Sequence, residues 1–319
     1  MRLALLLLLP AAAAGFSALP LLNNRRVAIS PSRCGVAPIR AAAAQEEAPG
    51  GPKVELPPHV KVKGEILTPY GVLLGASVFF TAFVCNFFCA LTYLCAQLFD
   101  KKRRRGVDWV IHMWAKVSMS VCGYIPELIG KENLPKGSQN ALYVPNHTSF
   151  MDILTLTGFV PRPMKYVSKA EILKIPFIGW PMKLAGHIAL RTGSRRSQLE
   201  TFKDTVKALQ DGNSVITFPE GTRSRSGRLK PFKRGPFKMA LQAGVPIVPV
   251  TIYDLARWYP AGTLLPITVP RGVKIIVHPQ IVPQKGDSEA DLAKRVYDII
   301  NESLPDFQQA PAGQDPVGA

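Results

Sequence analysis

Cysteine is scarce and badly placed: the 319 residues hold five, with no C-x-x-C pair. A zinc ribbon, a redox dithiol and a disulfide framework are excluded. Cys85 and Cys89 share one face of an apolar run that has no His or acid nearby, so they read as small packing residues. Phosphate-loop and dinucleotide-loop glycine patterns are missing too, as is any metal-ligand cluster, which leaves ATP, NAD and metal chemistry without support. The expectation is no cofactor and no metal. A G-x-S-x-G elbow is also absent, which removes the serine acyl-enzyme route.

Charge is thin, at 19% against about a quarter in average chains, and its sign is lopsided. Lys and Arg total 39 against 22 acids, a net of +17, which calls for a polyanionic partner: nucleic acid, an anionic membrane or a phosphorylated substrate. Two stretches lack charges of particular kinds. Residues 1–45 have five arginines but no lysine and no acid, so the rest of the chain nets +12. This leader runs from Arg2 through an apolar segment to Ala11–Gly15, the order of parts in a secretory signal, with a cleavage site expected before Phe16. Residues 17–44 then have transit-peptide composition, rich in Arg, Ser and Ala. Two signals in series resemble the bipartite plastid presequences of algae with complex plastids; a plain secretory signal, leading to the endoplasmic reticulum membrane, is the alternative.

Residues 66–99 carry no charge at all, and 34 residues exceed the roughly 20 that a helix needs to cross the hydrocarbon core. One long tilted helix or two shorter ones are expected, with Gly71, Gly75 and Asn86 as break points. Lys101, Lys102, Arg103, Arg104 and Arg105 follow at once, a block that attracts anionic headgroups and puts the rest of the chain on its own side of the bilayer. Nucleic acid is disfavoured, because aromatics are sparse in the basic stretches and the charge abuts an anchor. The resulting division is a targeting presequence over 1–45, a linker over 46–65, a membrane anchor with basic flank over 66–105, a catalytic domain over 106–304 and a disordered tail over 305–319.

Past Trp109 the pattern alternates. Short apolar strands are expected at 141–144, 165–168, 188–190, 215–218, 245–252 and 273–277, with helices starting at 149 and covering 198–210, 236–243 and 289–304. Strands alternating with helices imply an α/β domain with a mixed, largely parallel sheet flanked by helices, preceded by a hydrophobic helical anchor. The two prolines of 245–250 point to an edge or bulged strand there.

Two segments carry candidate chemistry. In Asn146 to Asp152, where a strand gives way to a helix, His147 and Asp152 stand one helical turn apart, so the carboxylate can fix the imidazole tautomer and leave a general base. Ser149 with Asp152 also matches a capping box, which alone would account for the acid. In the second segment a strand runs into Pro219, Glu220, Gly221, Thr222 and Arg223, then Lys230, Lys233 and Arg234. That turn offers backbone amides, a guanidinium and further cations to a phosphate; a polar surface hairpin is the alternative.

Together, His147 and Asp152 spaced as H-x4-D and the phrase Phe218-Pro219-Glu220-Gly221-Thr222-Arg223 resemble the PlsC-like glycerolipid acyltransferases, specifically the 1-acyl-sn-glycerol-3-phosphate acyltransferases of plastid type. Residues 169–180 with 186–191 resemble the family's second block, and 245–250 its fourth, so the likeness covers roughly residues 100–285. The resemblance implies a glycerol-3-phosphate acyltransferase-like fold and acyl transfer from acyl carrier protein or coenzyme A thioester to the sn-2 hydroxyl of lysophosphatidate. It implies His147 as base, Asp152 as its orienter, Arg223, Lys169 and Arg191 as phosphate ligands, Glu220, Gly221 and Thr222 as substrate or loop contacts, and Val245, Pro246, Ile247 and Pro249 as shaping the acyl site. Leu190 departs from the pattern, since many members have an acid before the arginine, which weakens the case for Arg191. His187 is not a position the family uses and reads as packing. Expected partners are the bilayer, lysophosphatidate and the acyl donor. Another lysophospholipid as acceptor, or a noncatalytic protein that binds anionic lipid, remain the competing readings.

Overall fold

The computed structural model describes residues 56–318 apart from 63, 64, 176, 192, 193, 225 and 259–264. The presequence expected over 1–45 lies outside the described residues. Within the expected linker, β1 (Val60–Val62) and β2 (Glu65–Leu67) form a small antiparallel pair.

Helix α1 (Pro69–Phe99) takes up almost the whole charge-free run as one unbroken helix. Thr68 caps it, its Oγ1 accepting from the Gly71 amide at 3.0 Å, and Pro69 stands at the first helical position, where the missing N–H costs nothing. The expected breaks do not occur. Gly71 and Gly75 instead admit Leu265, which would lie 3.1 and 3.2 Å from a Cβ at those positions, and Asn86 donates to the carbonyls of Ala82 and Phe177. One face of α1 is buried through Leu74, Ala82, Cys85 and Cys89; the other leaves Phe80, Phe83, Phe87, Leu91, Leu94, Leu98 and Phe99 exposed.

The basic block turns the chain back into α2 (Arg105–Val121), which packs along α1. Each of several cations in the turn has a structural use. Arg104, at φ +54°, donates to the carbonyls of Lys183 and Leu184 at the end of α4 (Gly179–Ala185), where a helix terminus favours positive charge. Lys102 pairs with Asp211 at 3.1 Å. The Arg103 carbonyl accepts from Lys165 Nζ at 2.6 Å. Lys165 in turn forms a buried ion pair with Asp108 of α2 at 2.5 Å.

The remaining elements are β3 (Glu127–Ile129), β4 (Leu142–Pro145), α3 (Met151–Phe159), β5 (Lys165–Lys169), β6 (Ile188–Leu190), α5 (Arg195–Gln210), β7 (Val215–Ile216), α6 (Gly235–Ala243), β8 (Ile247–Tyr253), β9 (Lys274–Val277) and α7 (Glu289–Ser303). Seven strands form one sheet in the order β3-β9-β8-β4-β7-β5-β6. Five neighbours, β8, β4, β7, β5 and β6, run parallel, while β9 pairs antiparallel to β8. The domain is thus α/β with a mixed, largely parallel sheet. β4 is buried along its whole length, with Tyr143, Met151, Leu154, Val248 and Val250 in one core and Leu142, Val144, Phe237, Ile247 and Val296 in the other. Gly158 lets α2 press onto α3, since a Cβ there would lie 2.8 Å from the Lys116 nitrogen.

One expectation is met in its second alternative, a bulge, and one is corrected. β8 is an interior strand rather than an edge, despite Pro249. The Pro249 carbonyl accepts from the His278 amide, one residue past the end of β9, so its missing N–H falls where that ladder has ended. Beyond it Ile247 bridges to Ile281, so two steps along β8 face three on the other chain segment, a bulge on the partner side. The tail from 305 to 318 is docked rather than disordered. Gln308 is fully buried, Leu229 N donates to its carbonyl at 2.8 Å, and Phe232 N donates to the Pro316 carbonyl at 2.9 Å.

Burial pushes Asp108 up to about 7 against the pull of Lys165, and burial lowers Lys165. Removing one member strands the other, so Lys165→Met is expected to cost about 3–5 kcal/mol in chemical denaturation, with the double change Lys165→Met/Asp108→Leu recovering most of it. Equal stability of the single variant and the wild type would show that the pair contributes nothing.

Candidate active site

Parallel neighbours deliver their carboxyl-terminal ends to one edge of the sheet, and the sequence motifs sit on those ends. His147 follows β4, Phe218 to Arg223 follow β7, Lys169 ends β5, and Arg191 follows β6. With strands about 4.8 Å apart, the β7 loop is one step from His147, Lys169 two and Arg191 three, or roughly 14 Å.

The turn out of β4 is built around one carboxylate. Asp152 is fully buried, and its Oδ2 accepts from the amides of Thr148 at 2.8 Å and Ser149 at 2.9 Å. Oδ1 accepts from Ser149 Oγ at 3.2 Å. The same Oδ2 lies 2.7 Å from His147 Nδ1, so the imidazole donates there and presents Nε2 as the free lone pair. Holding the turn and orienting the histidine are therefore two jobs of one side chain, whereas the expected capping box does not form, since the helix cap is Phe150 and has no side-chain bond. The helix begins at Met151, two residues later than the sequence suggests, because Ser149 Oγ accepts from the Met151 amide and holds the turn open.

Asn146 pins the base of this turn to β8: its Nδ2 donates to the Ile252 carbonyl at 3.1 Å, and its Oδ1 accepts from the Ile252 amide at 2.7 Å. From the β7 side, Glu220 Oε1 accepts from the His147 amide at 2.6 Å, and the His147 carbonyl accepts from the Ser224 amide at 2.9 Å. The Phe218 ring stacks on the imidazole with centroids 3.9 Å apart. Asn146, Phe218 and Ser224 have roles that sequence reasoning missed. Their positions inside the two motifs were the one available signal, and nothing in one chain's sequence says that the motifs touch.

Gly221 adopts φ +73°, where a side chain would be strained, and its bare Cα lets Lys233 approach to 2.7 Å of a Cβ position. Lys230 Nζ donates to Thr222 Oγ1 at 2.6 Å. Arg223 and Lys169 are exposed. These four cations surround the loop beside the His147–Asp152 pair. Arg191 is placed differently: its guanidinium pairs with Glu200 of α5 at 2.7 Å on the far side of β5. His187 is half-buried and stacks on the Tyr166 ring, and loss of solvent around the imidazole lowers it to about 3, which agrees with packing. Val245 and Ile247 lie in the core with Phe237 and Val296.

Glu220 is the buried acid of the site. Desolvation, reinforced by the charge of Asp152, raises it from its ordinary 4.5 to about 8 against the hydrogen bond from the His147 amide. Its Oε2 has no partner among the described residues. Between about pH 4.5 and 8 the folded chain retains a proton that the unfolded chain has released, so this group lowers stability as pH rises through that window. Glu220→Gln is therefore expected to gain on the wild type in melting temperature by several degrees between pH 5 and 8. Parallel melting profiles across that range would contradict the assignment.

Residues 126–253 match the family model described as Acyltransferase. A 1-acyl-sn-glycerol-3-phosphate acyltransferase of Chlamydomonas reinhardtii is 35% identical over 303 residues, covering 91% of this chain and 87% of that protein. A chloroplastic 1-acyl-sn-glycerol-3-phosphate acyltransferase of Brassica napus is 39% identical over 197 residues, 62% of this chain and 56% of its own length. The chain thus spans little more than half of that plant relative. Among solved structures, the 1-acyl-sn-glycerophosphate acyltransferase PlsC of Thermotoga maritima superposes with a TM-score of 0.61 at 28% identity, over 72% of this chain and 92% of that one. Sharing its sequence over nearly full length with the algal protein and its fold with the bacterial one, the chain belongs to the 1-acyl-sn-glycerol-3-phosphate acyltransferase family.

Proposed function

We propose that the chain transfers an acyl group from an acyl thioester to the sn-2 hydroxyl of lysophosphatidate, giving phosphatidate. The observation that carries the proposal is the His147–Asp152 contact at 2.7 Å, held against the Glu220–Arg223 loop by the 2.6 Å bond from the His147 amide to Glu220. His147 Nε2 takes the hydroxyl proton as the oxygen attacks the thioester carbonyl, since a free alkoxide would be far too basic. The C–O bond forms, the C–S bond breaks, and the leaving thiolate recovers the proton from the imidazolium. Both events are proton transfer and displacement, so the reaction needs no cofactor or metal.

Arg223 and Lys169 serve the phosphate, with Lys230 and Lys233 beside them. Arg191 is the weaker candidate because Glu200 already neutralises it. Val245, Pro246, Ile247 and Pro249 serve packing instead: Ile247 pairs with Leu142 at the start of β4, so this segment lies toward the end of the sheet away from His147. A histidine one sheet spacing from a cationic loop suits a substrate that carries its hydroxyl and its phosphate on adjacent glycerol carbons.

The apolar face of α1 is the membrane contact. Because α2 and α4 cover its other face, a bilayer-crossing α1 would draw α2 and its Asp108–Lys165 pair into hydrocarbon, at a cost of several kcal/mol. Insertion of the exposed face into one leaflet avoids that cost and sets the active-site edge at the surface where lysophosphatidate resides. The leader composition and the chloroplastic relatives support a plastid address, and there the acidic acyl carrier protein would meet a basic enzyme.

Purified full-length chain in vesicles is expected to form phosphatidate from labelled lysophosphatidate with acyl carrier protein or coenzyme A thioesters. His147→Ala should abolish turnover, and Asp152→Asn should lower kcat about 10²- to 10⁴-fold with little change in KM for the acceptor. Arg223→Ala should act chiefly on that KM. Undiminished turnover in His147→Ala would sink the mechanism. A fusion of residues 1–45 to a fluorescent reporter should enter plastids, and retention along the secretory route would overturn the address.

A further inference from the structure

At the opposite end of the sheet, the loops that lead into β4, β5 and β7 enclose a cavity of about 220 Å³. Polar backbone at Gly137, Gln139 and Gly212 forms part of its wall, and three guanidinium groups, those of Arg103, Arg105 and Arg162, line it. Arg103 lies against Gly212, where a Cβ would collide with its Nη2, so this glycine makes room for the guanidinium. Arg162 is aimed by its bond from Nη1 to the Gly137 carbonyl at 3.1 Å. Among the described residues none of the three forms an ion pair with a carboxylate, whereas neighbouring Lys102 and Lys165 are neutralised by Asp211 and Asp108. Lys165 and Asp108, paired with each other, also line the cavity, so it gathers four cations against one carboxylate, an excess of three positive charges around open space. Mutual repulsion opposes that arrangement unless an anion joins it, and guanidinium forks fit phosphate oxygens.

The position of the cavity selects the source of the anion. α1 ends at Phe99, and the exposed apolar side chains of Leu94, Leu98 and Phe99 lead directly into the turn that carries Arg103 and Arg105. An apolar helix face that runs into a cationic cavity is complementary to an amphiphile, with acyl chains along the helix and the headgroup in the cavity. β4 separates the cavity from His147, the two lying at its opposite ends. We propose that this cavity is a second anionic-lipid site, which takes the phosphate headgroup of a bilayer lipid and remains separate from the acceptor site.

The test compares two charge-removing changes in one basic block. Lys101 is exposed and does not line the cavity; Arg103 lines it and makes no side-chain hydrogen bond among the described residues. In flotation with vesicles of phosphatidylcholine and phosphatidylglycerol, Arg103→Gln is expected to weaken binding of the full chain about tenfold and Lys101→Gln about twofold or less. Binding to pure phosphatidylcholine, through α1, should be unchanged in both. Arg162→Gln, outside the basic block, should repeat the Arg103 result. Equal losses for Lys101→Gln and the two cavity variants would reduce the site to diffuse surface attraction and overturn the proposal. Short-chain phosphatidylglycerol should raise the melting temperature of the wild type but not of Arg103→Gln, and inorganic phosphate at the same concentration should not. Equal protection by inorganic phosphate would assign the cavity to a free anion instead of a lipid. Neither measurement includes acceptor or acyl donor, so both stand whatever becomes of the acyl-transfer assay.

Discussion

A carboxylate removed from water must be surrounded by donors, and Asp152 meets that requirement within its own turn. Two amides, one hydroxyl and the imidazole of His147 converge on it. Satisfying the buried charge sets the path of the chain from β4 into α3 and, through it, the direction of Nε2. The β7 loop then attaches to the backbone of this turn at the His147 amide and carbonyl. Those attachments bring the cationic loop to the histidine without engaging either ring nitrogen. Phe218, stacked on the ring, limits its rotation.

The α1–α2 side depends on a second buried charge. Lys165 begins β5, and its ammonium group ties together Asp108 of α2 and the carbonyl of Arg103. Since α2 also lies against α3 at Gly158, the helix packed along α1 is joined to the element that carries Asp152. The basic block is thereby divided by geometry. Arg104 caps α4 and Lys102 pairs with Asp211, while Arg103 and Arg105 are turned toward the cavity. A net charge of +17 is one number in the composition; five of those charges belong to residues 1–45, and in the fold cations of the described residues collect at the two ends of one sheet.

Contacts between near neighbours along the chain are legible in the residue order alone. His147 and Asp152 are five residues apart, so backbone geometry lets them meet. Gly244 ends α6 as expected, whereas the cap Ser194 starts α5 at Arg195, three residues before the expected 198. Errors arise where the outcome depends on a remote partner. Gly71, Gly75 and Asn86 look like helix breaks, yet Leu265 and the Phe177 carbonyl make them contact points. The tail after 305 has no apolar periodicity to reveal it, because it docks largely through backbone and glutamine hydrogen bonds to residues near 230, 254 and 297. Pro249 suggests an edge or a bulge without choosing between them, and it lies inside the sheet beside a bulge, at the rung where the neighbouring ladder has ended.

By itself the sequence determined the α/β class and the oily helix with its basic flank, because hydrophobic period is a local property, and it offered His147, Asp152 and the cationic loop as candidates through short-range spacing and a family resemblance. Only the tertiary structure decided that Glu220 holds the histidine turn 73 residues away, that Arg191 is taken by Glu200, and that three arginines of the basic stretches share one cavity. Each of these follows from the order of strands in the sheet, and strand order is set by which buried faces pack together, a property of the whole chain.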